Sequence, residues 1–167
     1  MEIYLVRHGS PYTRMEDPER RLTDDGIEES RQIGKVFKLF HMDLDMIAGS
    51  PETRARQTAE IIAEEVGYSK DQIKITKALE PTVPANEAIS YLKDFTDKKR
   101  ILLVGHLPSI GEIASKLISG NAGISMHFEA GGVCRIDVKQ IPTNTGELYW
   151  FLTPRLLFCT AQAKKIF

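Results

Sequence analysis

An α/β fold is predicted for this chain, a three-layer αβα sandwich with a mostly parallel central sheet. Short apolar runs alternate with segments of helical periodicity along its length. Polar clusters follow immediately after several of those runs, as they do at the carboxyl ends of parallel strands. The 167 residues fit one domain spanning 1–167, long enough to bury a substantial core without disulfides or metal staples.

Ile3 to Val6 reads as the first strand. A polar, arginine-containing loop from Ser10 to Leu22 follows, and Thr23 is placed to cap a helix in which Gly26, Ser30, Ile33, Phe37 and Phe40 recur at helical spacing, ending near His41. Met46 to Ala48 is the second strand. Ser50 and Pro51 then suit the cap and first position of a helix whose apolar face is Ala55, Ala59, Ile62 and Val66, with Gly67 as terminator. Ile73 to Ile75 is a short third strand, Thr76 to Pro84 a loop, and Asn86 to Phe95 a helix. Ile101 to Val104 is a buried strand. Ser109 and Glu112 have capping-box spacing ahead of the apolar Ile113 and Leu117, with Gly120 as the stop. Val133 to Val138 and Leu148 to Leu152 complete the sheet, and no repeat, linker or low-complexity tract divides it.

A formal net charge of -1 provides no broad electrostatic footprint for nucleic acid, so an anionic partner would have to be held by locally clustered arginines. The opening MEIYLVRHG breaks its apolar run at Arg7 and lacks the length and cleavage site of a signal peptide. No apolar stretch approaches the roughly 20 residues needed to span a bilayer. A cytoplasmic monomer without membrane or nucleic-acid partners is expected. Cys134 and Cys159, the two cysteines, lie outside any CxxC arrangement and read as reduced core thiols.

Three polar segments sit after strands: Arg7-His8-Gly9, Ser50 through Arg54, and Gly105-His106-Leu107-Pro108-Ser109. At the carboxyl edge of an α/β sheet such segments converge although they are distant in sequence. Two arginines supply forked donors matched to phosphate oxygens, and amides at the helix starts near Ser50 and Ser109 add anion-binding capacity. Two histidines add a nucleophile and a second donor. Taken singly, each has a plainer reading: a lone histidine is usually structural, and a first-turn arginine is usually solvated. Arg54 is moreover disfavoured by the helix dipole unless an anion is bound. Arg56 is assigned to the surface, and His41 and His127 to structural positions.

These segments resemble the histidine phosphatase, or phosphoglycerate mutase-like, superfamily. LVRHG at Leu5 to Gly9, SPETRARQTAE at Ser50 to Glu60 and VGHLPSIG at Val104 to Gly111 occur in that family's order and spacing, and the resemblance runs from Met1 to about Pro154. Within the superfamily the compact length, the HLP segment and the ending YWFLTP look most like SixA-type phosphohistidine phosphatases. The resemblance implies a phosphoglycerate mutase-like fold and no cofactor or metal. It also implies that His8 is a nucleophile that becomes transiently phosphorylated, while Arg7, Arg54 and His106 bind the transferring phosphoryl group, with the Leu107 backbone as a further contact. A carboxylate after the third strand often serves relatives as proton donor; Glu80 occupies about that position, with Glu87 as its substitute.

The expected partner is a phosphorylated protein or a small phosphorylated substrate. Phosphohistidine is favoured because its imidazole departs as a neutral ring whose conjugate acid has a pKa of about 6.5, whereas an alkoxide is nearly as basic as hydroxide, from water of pKa about 15.7. The segment from Lys77 to Lys99 is short for a mutase lid. A phosphatase for small esters and a catalytically silent phosphate-binding module are the alternatives. The absence of HExxH or a paired histidine-carboxylate pattern argues against a metal hydrolase.

Overall fold

The computed structural model describes residues 1–163; residues 164–167, which the single-domain expectation also spans, lie outside the described residues. Six strands form one sheet in the order β3-β2-β4-β1-β5-β6. They are β1 (Glu2–Arg7), β2 (Met46–Gly49), β3 (Lys74–Ile75), β4 (Arg100–Gly105), β5 (Val133–Asp137) and β6 (Glu147–Leu152). The first four pair in parallel, and β5 and β6 add antiparallel at one side.

Because successive strand residues point to opposite faces, β1 divides its side chains between two cores. Tyr4 and Val6 pack with Ile33, Phe37, Ala59, Ile62 and Leu157, which belong to α1 (Asp24–Leu39), α2 (Thr53–Val66) and α5 (Pro154–Ala163). Ile3 and Leu5 pack on the other face with Ala88, Leu92, Ile113 and Leu117, from α3 (Ala85–Leu92) and α4 (Ser109–Ser119). The result is the three-layer sandwich. Among the described residues no helix is long and apolar enough to cross a membrane.

Thr23 caps α1, its side chain accepting from the Gly26 amide, and Gly67 and Gly120 close α2 and α4 in the left-handed region at φ 77° and 78°. Other element ends differ from the sequence expectation. Helix α2 starts at Thr53 rather than at Pro51, with Glu52 at the cap position and no side-chain cap bond. The Ser50 hydroxyl, expected to cap, instead bonds His106 Nε2. No capping box forms at α4: Pro108 occupies the cap position, and Ser109 Oγ is buried without a partner. That helix is entered directly from the preceding strand, the Ile110 amide donating to the His106 carbonyl. Helix α3 stops at Leu92 and tightens into a 3₁₀ turn, Lys93–Phe95.

Cys134 is buried in the sheet, but Cys159 is exposed, because α5 turns Leu157 rather than Cys159 to the core. His41 is exposed beyond α1 at φ 51°, and His127 is exposed as well, so neither is a buried structural histidine.

Candidate active site

The register of the parallel pair β1 and β4 sets Arg7 beside Gly105, so the next residues, His8 and His106, leave the carboxyl edge together. Their ring centroids lie 4.9 Å apart at an interplanar angle of 57°. The first turn of α2 brings Arg54 to the same point, and its Nε donates to His8 Nε2 at 3.2 Å. All three side chains are buried, His8 and Arg54 at 6% exposure and His106 at 1%.

The bond from Arg54 assigns the tautomer of His8. Since Nε2 accepts, the ring proton resides on Nδ1, which donates to the Gly9 carbonyl at 2.7 Å. The Nε2 lone pair therefore faces the crevice. Burial pushes the His8 pKa down to about 4, with the Arg54, Arg7 and Arg20 charges acting in the same direction and the Gly9 bond opposing them. Burial, then His8, Arg54, Arg20 and Arg7, push His106 down to about 3. Both rings are neutral at pH 7.

The arginines are held by their outer atoms. Arg7 Nη1 donates to the Phe128 carbonyl at 2.7 Å, and Arg54 Nη1 to Glu52 Oε2 at 2.7 Å. Arg7 Nε and His106 Nδ1 are buried and have no hydrogen-bond partner among the described residues. His106 Nε2 lies 2.9 Å from Ser50 Oγ. If that hydroxyl donates, the proton of His106 sits on Nδ1, the nitrogen left unpartnered.

A layer of contacts behind these groups fixes the loop. Thr58 Oγ1 donates to the Arg54 carbonyl at 2.8 Å and accepts from the Gly9 amide at 3.0 Å, tying the histidine loop to α2. Glu29 accepts from the Ser10 amide at 2.7 Å and from its hydroxyl at 2.9 Å, and burial raises its pKa. Gly9 and Gly26 pass so closely that a Cβ on Gly9 would stand 2.4 Å from the Gly26 carbonyl oxygen, and one on Gly26 would stand 2.1 Å from that of Ser10. Both positions require glycine.

Arg7, His8, Arg54 and His106 are thus brought together, with Leu107 in the turn that follows His106. Glu80 is not engaged with them. It is half-buried at the rim, where the neighbouring Leu79 carbonyl oxygen packs against Gly105, and among the described residues its side chain makes no hydrogen bond or ion pair. Glu87 lines a separate cleft with Thr76, Lys77 and Tyr91. Arg56 is on the surface near Glu60.

Sequence reasoning placed Ser50 and Glu52 in a site segment without assigning their side chains a partner within it, and gave no site role to Thr58 or Arg20. Thr58 was open to inference, because it follows Arg54 by four residues on one helical face. The Arg20 contribution depends on the Ser10 to Leu22 loop folding back, with the Tyr12 amide donating to the Arg21 carbonyl, and no periodicity announces that. A cavity of about 550 Å³ at the opposite edge of the sheet, between Glu2, Phe40, Arg100 and Trp150, includes none of these residues.

Fold and crevice together define an α/β sandwich whose sheet edge presents two neutral histidines between arginines. Residues 3–80 match the family model of the histidine phosphatase superfamily (branch 1). The phosphohistidine phosphatase SixA of Escherichia coli (strain K12) is 23% identical over 157 residues, covering 92% of this chain and 94% of the relative. The SixA homolog of Haemophilus influenzae is 29% identical over 136 residues, covering 76% and 83%. The solved structure of the protein histidine phosphatase SixA complexed with tungstate superposes with a TM-score of 0.82 at 23% identity, over 93% of this chain and 98% of that one, a likeness of fold. Over residues 3–80 the chain is thus similar to the histidine phosphatase superfamily, and its fold is that of the solved SixA structure.

Proposed function

We propose that this enzyme dephosphorylates phosphohistidine in a protein substrate, with His8 as the nucleophile that carries the phosphoryl group between two half-reactions. The observation that carries the reading is the Nε2 lone pair of His8, unprotonated and aimed at Arg54, beside the unpartnered Arg7 Nε and His106 Nδ1. A phosphoryl group arriving there finds an in-line nucleophile and donors for its equatorial oxygens, which are the main requirements of this chemistry. Arg7, Arg54 and His106 bind it, with the Leu107 backbone as a further contact.

The substrate class follows from the leaving group. Glu80 makes no contact that would hold a proton donor over the crevice, and a neutral imidazole of pKa about 6.5 needs such a donor far less than an alkoxide does. The E. coli and H. influenzae relatives carry the phosphohistidine phosphatase name. A protein partner also suits the exposed Met15 (98%) and Tyr12 (38%) in the loop after His8. The reading brings with it a monomeric, cytoplasmic enzyme that uses no metal.

Parallel incubation with a phosphohistidine protein, a phosphotyrosine peptide and small phosphate esters, with and without a chelator, tests it. Turnover of the phosphohistidine protein, unaffected by chelation and lost in His8→Ala, is the expected result. Ester turnover with inertness toward phosphohistidine would select a small-ester phosphatase, and tight phosphate binding without any turnover a silent binding module. Rapid quench of the parent should trap acid-labile, alkali-stable phosphate on His8; phosphate on serine or cysteine would refute the covalent-histidine route.

A further inference from the structure

We infer that Glu52 is the general base that activates water in the second half-reaction, the hydrolysis of phosphorylated His8. The inference rests on the covalent-histidine reading above and supplies the acid–base residue that Glu80 does not.

Glu52 occupies the cap position of α2, yet its carboxylate makes no bond to the helix amides. It turns instead to Arg54, accepting from Nη1 at 2.7 Å, while Nε of the same guanidinium donates to His8 Nε2 at 3.2 Å. One planar group therefore lies between the nucleophilic nitrogen and the carboxylate. Among the described residues, no other carboxylate accepts a hydrogen bond from a side chain that itself contacts His8 Nε2. The Glu52 side chain is 42% exposed against 8% for Arg54, so it stands on the solvent side of the guanidinium.

A carboxylate exposed on that side can meet water entering from solvent. In the first half-reaction the His8 Nε2 pair forms a bond to phosphorus as the P–N bond of the substrate ring, protonated on its other nitrogen, breaks, its electrons leaving with a neutral imidazole. In-line geometry then requires water to enter opposite the new P–Nε2 bond, through the opening the imidazole has vacated. As the water oxygen bonds to phosphorus, the P–Nε2 pair returns to His8 and one water proton passes to the Glu52 carboxylate, which later releases it to solvent. No further reactant is needed.

Glu52→Gln separates this role from a merely structural one, because the amide oxygen can still accept from Arg54 Nη1 and hold the guanidinium in place. With a phosphohistidine protein as substrate, rapid quench should show labelling of His8 at the parental rate. The steady-state phosphoenzyme should rise toward full occupancy, and kcat should fall on the order of 100 to 10,000-fold, the range for loss of a general base. Parental kcat without accumulation would overturn the inference, as would loss of labelling itself, which would make Glu52 a binding residue. Accumulation in a parallel Glu80→Gln variant instead would assign the base to Glu80. A parent that never labels His8 would remove the reading on which the inference stands, an outcome distinct from any of these.

Discussion

Arg54 Nε donates to His8 Nε2 across 3.2 Å, so a cation faces the nitrogen that the proposed mechanism requires to be unprotonated. Together with burial this places the His8 pKa at about 4. Imidazole resonances of labelled His8, followed by NMR, should titrate with a midpoint near pH 4. Replacement of Arg54 by alanine removes one of the opposing charges and should move the midpoint upward. A midpoint near the ordinary 6.5 in the parent would contradict the arrangement.

The same shifts make stability pH-dependent in a defined direction. Unfolded, His8 and His106 titrate near 6.5; folded, near about 4 and about 3. Between these values the unfolded chain binds more protons, so acid favours unfolding. Their penalty is absent above about pH 7, grows as pH falls through 6.5 and levels off below the folded values. His8 alone contributes on the order of 3 kcal/mol across that window. Urea unfolding at pH 7 and pH 4 should therefore show a smaller loss of stability in His8→Asn than in the parent.

Thr58 joins the two halves of the crevice through one oxygen. Thr58→Val keeps the shape but leaves the buried Gly9 amide without its acceptor, a loss of about 1–3 kcal/mol. Denaturant midpoints report the stability change. Turnover should fall at the same time, since Gly9 also holds the Nδ1 proton of His8.

Iodoacetamide should label Cys159 and spare Cys134. Burial pushes the Cys134 thiol up to about 12, whereas Cys159 is exposed on α5. Mass spectrometry of the alkylated enzyme should locate one adduct with activity intact, and phosphate-protectable inactivation would reveal a thiol route instead.

Strand and helix identity was legible because β1 and β4 are uninterrupted apolar runs, and α1 and α2 keep one apolar face across whole turns. The histidines and arginines were legible too, since each follows a strand or opens a helix. Hydroxyl partners were harder to read. Ser50 and Ser109 both carry the local signature of a helix cap, but Ser50 sits 2.9 Å from His106 across a gap of 56 residues, a contact that exists only after β2 and β4 pair. The segment before Glu80 was harder to read as well: its two prolines suggested only a loop, whereas a 3₁₀ turn, Lys77–Leu79, ends at Glu80.

The sheet order has a consequence for biosynthesis. Strands β1 and β2 are made early, yet they are not neighbours: β4 lies between them, and β1 takes its other partner from Val133–Asp137. A ribosome that has released Arg7, His8 and Arg54 has therefore produced three of the four crevice residues before the strand that lies between β1 and β2. Helix α2 meets the histidine loop directly through Thr58, and it is insertion of the centrally placed Arg100–Gly105 segment that sets His106 beside His8. Such long-range closure is slow and cooperative. Truncated nascent chains consequently carry His8 without His106 beside it, and the four-residue crevice is complete only when the central strands have been threaded into place.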